Sequence, residues 1–124
     1  MEIFDILLSW LQDNGILPAV DRCGVKPDQA GLFPLGVQEL SRNEDVLGNI
    51  RRRARYSFLL RCTAIPGEDA ARMLLRLQEL AAKDPPALGQ NQQFRAEKGK
   101  LVKDTGTGTG LYEIRLIAER EETL

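Results

Sequence analysis

Residues 2–13 show the periodicity of a helix with a narrow polar stripe. The polar positions recur at helical spacing: Glu2, Asp5, Ser9 and Gln12. Gly15 is placed to end the helix, and Pro18 prevents its continuation. Apolar residues cover the rest of the circumference, so the helix needs cover on more than one side. We expect a second subunit to supply part of that cover, with Trp10 and Leu11 at the interface.

The clearest strand runs over 51–64, where polar and apolar residues alternate with period two. One face carries the polar set: Arg51, Arg53, Arg55, Ser57, Arg61 and Thr63. The other face carries the apolar set: Ala54, Tyr56, Phe58, Leu60, Cys62 and Ala64. The alternation predicts a sheet with one buried face and one polar face, on which Leu59 is the single apolar residue.

The segments before this strand are less regular. Residues 16–31 contain two prolines and two glycines and predict an irregular connection. Residues 32–40 predict a short strand, which Pro34 and Gly36 restrict to a sheet edge. Residues 41–49 are polar and predict a turn-rich loop.

The second half of the chain predicts a helix followed by a hairpin. Apolar residues at helical spacing predict an amphipathic helix over 68–83. Residues 89–102 and 111–119 predict the arms of the hairpin, with Gly99 at a bulge. Residues 103–110 are rich in Gly and Thr and predict a flexible hairpin loop.

These elements follow the order α-β-β-α-β-β and indicate an α+β fold. We expect a single domain over 1–124, with an antiparallel or mixed sheet and two helices packed on one side of it.

The charged residues are unevenly distributed along the chain. Residues 1–50 contain three Lys and Arg and eight Asp and Glu, whereas residues 51–124 contain fourteen and ten, and the net charge of the whole chain is −1. The near-neutral total argues against a general nucleic-acid binder. An acidic half followed by a basic half suits head-to-tail association of identical copies, although uneven drift of solvated charges would also produce it.

The N-terminal segment has no basic region ahead of its apolar residues and is too short and too often interrupted to span a bilayer. Cys23 and Cys62 form no CxxC pair, and the chain has no histidine, so a zinc site is not expected. One disulfide is arithmetically possible. We expect a protein of the cytoplasm with free thiols and no membrane contact.

Two local features invite a chemical interpretation. Gly106, Gly108 and Gly110 match a phosphate-binding loop only in composition, because a strand-like segment and not a helix follows them. The stripe of Arg51, Arg53 and Arg55 predicts neighbouring cations about 7 Å apart. Such a stripe is either a binding surface for phosphate or an acidic neighbour, or a solvated face that discourages edge aggregation.

Catalysis has little support in the residues. Histidine, the commonest general acid and base, is absent. None of the three serines, Ser9, Ser41 and Ser57, lies in a nucleophile-elbow setting. We therefore expect no catalytic residue, no bound metal and no cofactor.

Three segments resemble the phage tail-terminator group, also described as minor capsid or head–tail joining proteins. The first is Asp45-Val46-Leu47-Gly48-Asn49, which leads through a basic stretch into Tyr56-Ser57-Phe58-Leu59-Leu60. The second is Leu88-Gly89-Gln90-Asn91-Gln92. The third is Gly110-Leu111-Tyr112-Glu113-Ile114. The likeness lies in their order and spacing, and 16–40 does not share it.

The resemblance implies a small subunit that closes into a hexameric ring on the completed tail tube. Such a ring stops tail polymerisation and offers a surface to the head connector or adaptor proteins. It implies a location in the bacterial cytoplasm during assembly and in the virion tail afterwards, with passive contact to DNA in the ring lumen.

Under this hypothesis the assembly interface has three parts: the stripe of Arg51, Arg53 and Arg55; the helix residues Trp10 and Leu11; and the loop residues Thr105, Gly106, Thr107, Gly108 and Thr109. Two alternatives remain. One is another head–tail adaptor or a tail assembly chaperone, and the other is a small ligand-binding regulatory domain, which needs a concave apolar pocket with convergent polar groups.

Overall fold

A computed structural model of the chain describes residues 3–16, 31–106 and 108–124. The described residues form two helices and five strands in the order α-β-β-α-β-β-β. Their bounds along the chain are α1 Ile3–Asp13, β1 Gly31–Glu44, β2 Ile50–Pro66, α2 Gly67–Lys83, β3 Gln90–Ala96, β4 Lys100–Gly106 and β5 Thr109–Thr123. The predicted α+β class is confirmed.

The sheet is antiparallel throughout the described strands, in the order β1-β2-β5-β3, with β4 also paired to β5. Strands β3 and β4 follow one another along the same side of β5, because β3 pairs near Leu116–Glu121 and β4 pairs with 109–113. The prediction of four strands is therefore wrong, because the described residues form five. The first arm of the expected hairpin is divided at 97–99 into two strands.

Gly99 lies at this division for a steric reason. A Cβ on Gly99 would lie 2.5 Å from Cδ1 of Leu74, so the link between β3 and β4 passes directly against α2. The glycine thus permits close approach of the backbone to a helix, where the sequence predicted a bulge within one strand.

Both helices pack on the same face of the sheet. The alternation predicted for β2 places Phe58 and Leu60 on this face, opposite Leu116 and Ile114 of β5. The helices contribute the following buried residues to the same core: Ile3, Leu7, Trp10, Leu11, Leu77 and Ala81. The predicted packing of two helices on one side of the sheet is correct.

The early part of the chain differs in its boundaries. The predicted edge strand 32–40 is present, and it extends as β1 to Glu44, so the predicted loop 41–49 shrinks to a turn between β1 and β2. Most of the predicted irregular connection 16–31 lies outside the described residues, as does Cys23.

Candidate assembly surfaces

The arginine stripe on β2 has an acidic partner within the same chain. Nε of Arg55 lies 3.1 Å from Oε2 of Glu119, and Nε of Arg53 lies 3.4 Å from Oε1 of the same carboxylate. Strand β5 places Glu119 directly opposite Arg55. A third cation, Arg95 of β3, lies 3.6 Å from Oε2 of Glu119.

Glu119 is the one charged residue buried within the described part of the chain, at 5% exposure. Burial acts to raise the pKa of its carboxyl, but the hydrogen bonds and charges of Arg55 and Arg53 outweigh burial and lower that pKa below its ordinary value. The carboxylate is thus held ionised between three guanidinium groups. The shared carboxylate therefore reduces the mutual repulsion of these arginines within the chain itself.

The stripe also has a structural task. Nη1 of Arg53 donates a hydrogen bond of 2.8 Å to the carbonyl oxygen of Asn91. Asn91 has a positive φ of 49° and lies where the register of β3 shifts against β5. Arg51 is exposed, so it is the member of the stripe most available to a partner.

Trp10 and Leu11 are core residues, which corrects their expected place at an interface. Leu11 is fully buried and Trp10 is 8% exposed. Nε1 of Trp10 donates a hydrogen bond of 2.9 Å to the carbonyl oxygen of Asp84, and its ring packs against Phe94 in a T-shaped arrangement with 5.2 Å between centroids. The second cover for α1 therefore comes from the end of α2 and from β3 of the same chain.

The Gly- and Thr-rich segment is mostly strand. Strand β4 continues to Gly106, which pairs with Thr109 of β5, so the predicted loop 103–110 is reduced to the connection around 107–108. Gly106 and Gly108 have φ values of 99° and 78°, which only glycine adopts at low cost. Oγ1 of Thr109 donates to the carbonyl of Gly106 at 2.7 Å. Thr107 and the side chain of Thr105 lie outside the described residues.

The turn between β1 and β2, hereafter the tip (residues 45–49), is a surface that sequence reasoning missed. The Asp45 carboxylate accepts hydrogen bonds of 2.9 Å from the backbone N–H groups of Leu47 and Asn49. The N–H of Asp45 donates to the carbonyl of Asn49, also at 2.9 Å. The hydrogen bond from the Asn49 N–H is the main reason that the pKa of Asp45 lies below its ordinary value. The tip is thus fixed by several local hydrogen bonds.

This fixed tip presents two apolar side chains to solvent. Val46 is 103% exposed and Leu47 is 82% exposed, more than the other large hydrophobic residues exposed in the described chain. The signal in the sequence is a pair of adjacent apolar residues in an otherwise polar turn. That signal is weak by itself, because isolated apolar residues on a surface are common.

A second exposed apolar surface lies at the other end of the sheet, between α2 and β4. This groove has a volume of about 360 Å³. Its apolar lining comes from Leu74, Leu75, Leu101 and Tyr112, and two exposed lysines, Lys98 and Lys100, also line it. Leu75 and Leu101 are 59% and 54% exposed. We call it the α2–β4 groove.

Charged side chains line parts of the remaining hollows, and one of these hollows is lined by Glu97, Lys98, Lys100, Glu113 and Arg115. Two hollows of about 280 and 380 Å³ lie on the polar face of the sheet and share Leu35 and Arg115. Among the described residues, no group of three Cys, Asp, Glu or His could hold a metal ion. Burial raises the pKa of the Cys62 thiol to about 12, which keeps it protonated and unreactive.

Comparisons with family models and with curated proteins give no match to this chain. In the part of the chain that the structure describes, neither helix is long and apolar enough to cross a membrane.

Proposed function

We propose that this chain is a structural subunit that acts by assembling with copies of itself. The observation that carries the proposal is the tip, where hydrogen bonds fix a turn that exposes Val46 and Leu47 almost completely. Two apolar side chains gain no free energy from being held in contact with water. They gain it on binding a partner, and a fixed tip loses little conformational entropy when it docks.

The specific proposal is a ring that caps a completed phage tail tube, stops tail polymerisation and joins the tail to head connector proteins. Its support is the resemblance of the segments 45–49, 88–92 and 110–114 to the tail-terminator group. One of these segments is the tip, and another begins β5 beside the α2–β4 groove. The subunit would then act in the bacterial cytoplasm during assembly and remain in the virion tail.

The same proposal assigns no catalytic role to the chain and no cofactor. A different head–tail adaptor or a tail assembly chaperone is the second candidate, because an exposed apolar tip would serve either one. The two are distinguished by stoichiometry, since an adaptor or chaperone need not form a closed ring of six.

The direct test is capping of polymerising tail tubes made from the tube protein of the same genome. We expect the chain to stop elongation and to add a ring at the tube end in electron micrographs. Tubes that elongate equally with and without the chain would refute the capping function. A Leu47→Asp variant that still capped would show that the tip is not the contact used.

A further inference from the structure

We infer that the tip of one copy docks in the α2–β4 groove of a second copy. The inference rests on the proposed function, because it takes copies of the chain to assemble with one another. It names the contact through which these copies meet. It makes both surfaces parts of one interface, although they lie far apart on the subunit.

The two surfaces match in apolar character. The tip projects Val46 and Leu47, which together form a small apolar knob. The groove exposes Leu75 and Leu101 and has a volume of about 360 Å³, which is enough for two aliphatic side chains. Docking would remove the most exposed apolar side chains of both surfaces from water.

They also match in charge. Glu44 and Asp45, both exposed, flank the apolar pair at the tip. Lys98 and Lys100, also exposed, border the groove as well as the polar-face hollow that Glu113 lines. Opposite charges around an apolar centre are the arrangement expected of a specific interface, in which the charges favour the correct partner and orientation.

The shape of the groove is fixed by backbone approach. A Cβ on Gly99 would clash with Leu74 at 2.5 Å, and a Cβ on Gly110 would lie 2.6 Å from Cδ1 of Leu101. The two leucines therefore lie directly over glycine backbone. Closely approaching parts of the chain thus form the groove before any partner is present.

A single copy cannot make this contact with itself. The tip joins Glu44 of β1 to Ile50 of β2 near the β1 edge of the sheet, at the level of Thr123 in β5. The groove lies beside Tyr112, at the opposite edge of the sheet, where β4 pairs with β5. Eleven residues of strand, about 36 Å, separate these levels along β5. A knob and its complement at opposite corners of a rigid sheet produce a head-to-tail contact, which closes into a ring when the rotation permits.

A complementation experiment tests this contact with two variants, Leu47→Asp in the tip and Leu75→Asp in the groove. Each variant keeps one of the two surfaces intact. We expect each to remain a 13.9 kDa monomer alone, measured by light scattering after size-exclusion chromatography. An equimolar mixture should form a dimer of about 28 kDa, twice the chain mass, because one intact tip meets one intact groove.

The matched control is Val37→Asp. Val37 lies on β1 and is 59% exposed, the same fraction as Leu75. Its loss should leave association unchanged, which separates the proposed contact from general surface hydrophobicity. Circular dichroism establishes that each variant folds, and Val46→Asp with Leu101→Asp provides a second complementing pair if one of the first two does not.

The outcomes separate this inference from the proposed function. Oligomers that survive both substitutions, or variants that do not associate when mixed, would overturn the inference and leave a tube-capping ring possible through another contact. A wild-type chain that stays monomeric at every concentration would also overturn it. A mixture that dimerises, with a wild-type protein that does not cap tubes, would support the contact and refute the capping function.

Discussion

Arg55 and Glu119 lie directly opposite each other on β2 and β5, with 3.1 Å between Nε and Oε2. Glu119 is almost entirely buried, whereas the guanidinium side chain of Arg55 remains 35% exposed. The pair joins the two central strands on the polar face of the sheet. Arg53 and Arg95 approach the same carboxylate, so one acidic residue organises three cations.

Replacement of Glu119 with Gln should destabilise the subunit by about 1–3 kcal/mol. The substitution keeps the shape of the side chain but leaves three arginines without their shared counter-charge, and their partial exposure limits the cost. Urea unfolding measures the change. Glu121→Gln on the same face is the control and should alter stability by less than about 0.5 kcal/mol. Equal effects of the two substitutions would contradict the central role of Glu119.

Acid should weaken the fold through carboxylates whose pKa is lowered, and two of these, Glu119 and Glu122, lie on the central strand β5. The pKa values of Glu119 and Glu122 lie below 4.5, the value of an unperturbed glutamate, because hydrogen bonds from their partners outweigh the opposing effect of burial. The partners of Glu122 are Tyr56, Arg52 and Arg120.

A lowered native pKa stabilises the fold above pH 4.5, and this stability is lost as the pH falls through the native pKa. We expect the melting temperature to decrease as the pH is lowered from about 5 to about 3. Glu119→Gln should show a smaller decrease, since one of the two groups no longer titrates. If the melting temperatures of the wild-type protein and of Glu119→Gln decreased in parallel with pH, Glu119 would not be responsible for this dependence.

Trp10→Ala should cost about 3–5 kcal/mol of unfolding free energy, because it removes a buried ring and leaves a cavity. Trp10→Phe should cost less, about 1–3 kcal/mol, through loss of the hydrogen bond to the carbonyl of Asp84 and of part of the buried ring. Thermal and urea unfolding measure both, with the exposed Ser9→Ala as control. Normal stability combined with lost oligomers would instead return Trp10 to an intersubunit interface.

Asp45→Ala should weaken association without unfolding the subunit. The variant loses the carboxylate that accepts hydrogen bonds from Leu47 and Asn49, so the tip becomes less ordered before docking. A loss of about 1 kcal/mol of binding free energy, through poorer pre-organisation of the tip, corresponds to a roughly fivefold larger dissociation constant. Sedimentation equilibrium measures that constant. An unchanged constant would show that order in the tip contributes nothing to assembly.

Strands with one buried face could be predicted from the sequence, because their side chains alternate with period two. The face shared by Arg53 and Arg55 follows from this rule, and the structure agrees. Their partner Glu119 could not be predicted, since it lies 64 residues from Arg55 and only the register of β2 against β5 brings the two together. The end of strand β4 was missed because Lys103, Asp104 and Gly106 have low β-propensity as a group, and pairing with β5 overrides that preference.

The error at α1 has a different cause. The width of its apolar arc correctly predicted cover on more than one side, but sequence periodicity cannot tell which chain supplies the cover. In the structure Phe94 of β3 and the carbonyl of Asp84 supply it to Trp10. The tip was overlooked because apolar residues are ordinarily expected in a core. The exposure of Val46 and Leu47 depends on local hydrogen bonds that hold them away from the core.

The most direct test of assembly as the function of this chain is its mass in solution by light scattering, over a wide range of protein and salt concentrations. Assembly into a ring of six predicts a mass of about 83 kDa, six times the 13.9 kDa of one chain, at high concentration. Leu47→Asp should reduce this mass to that of a monomer. A wild-type protein that remains at 13.9 kDa under every condition would contradict assembly as the function.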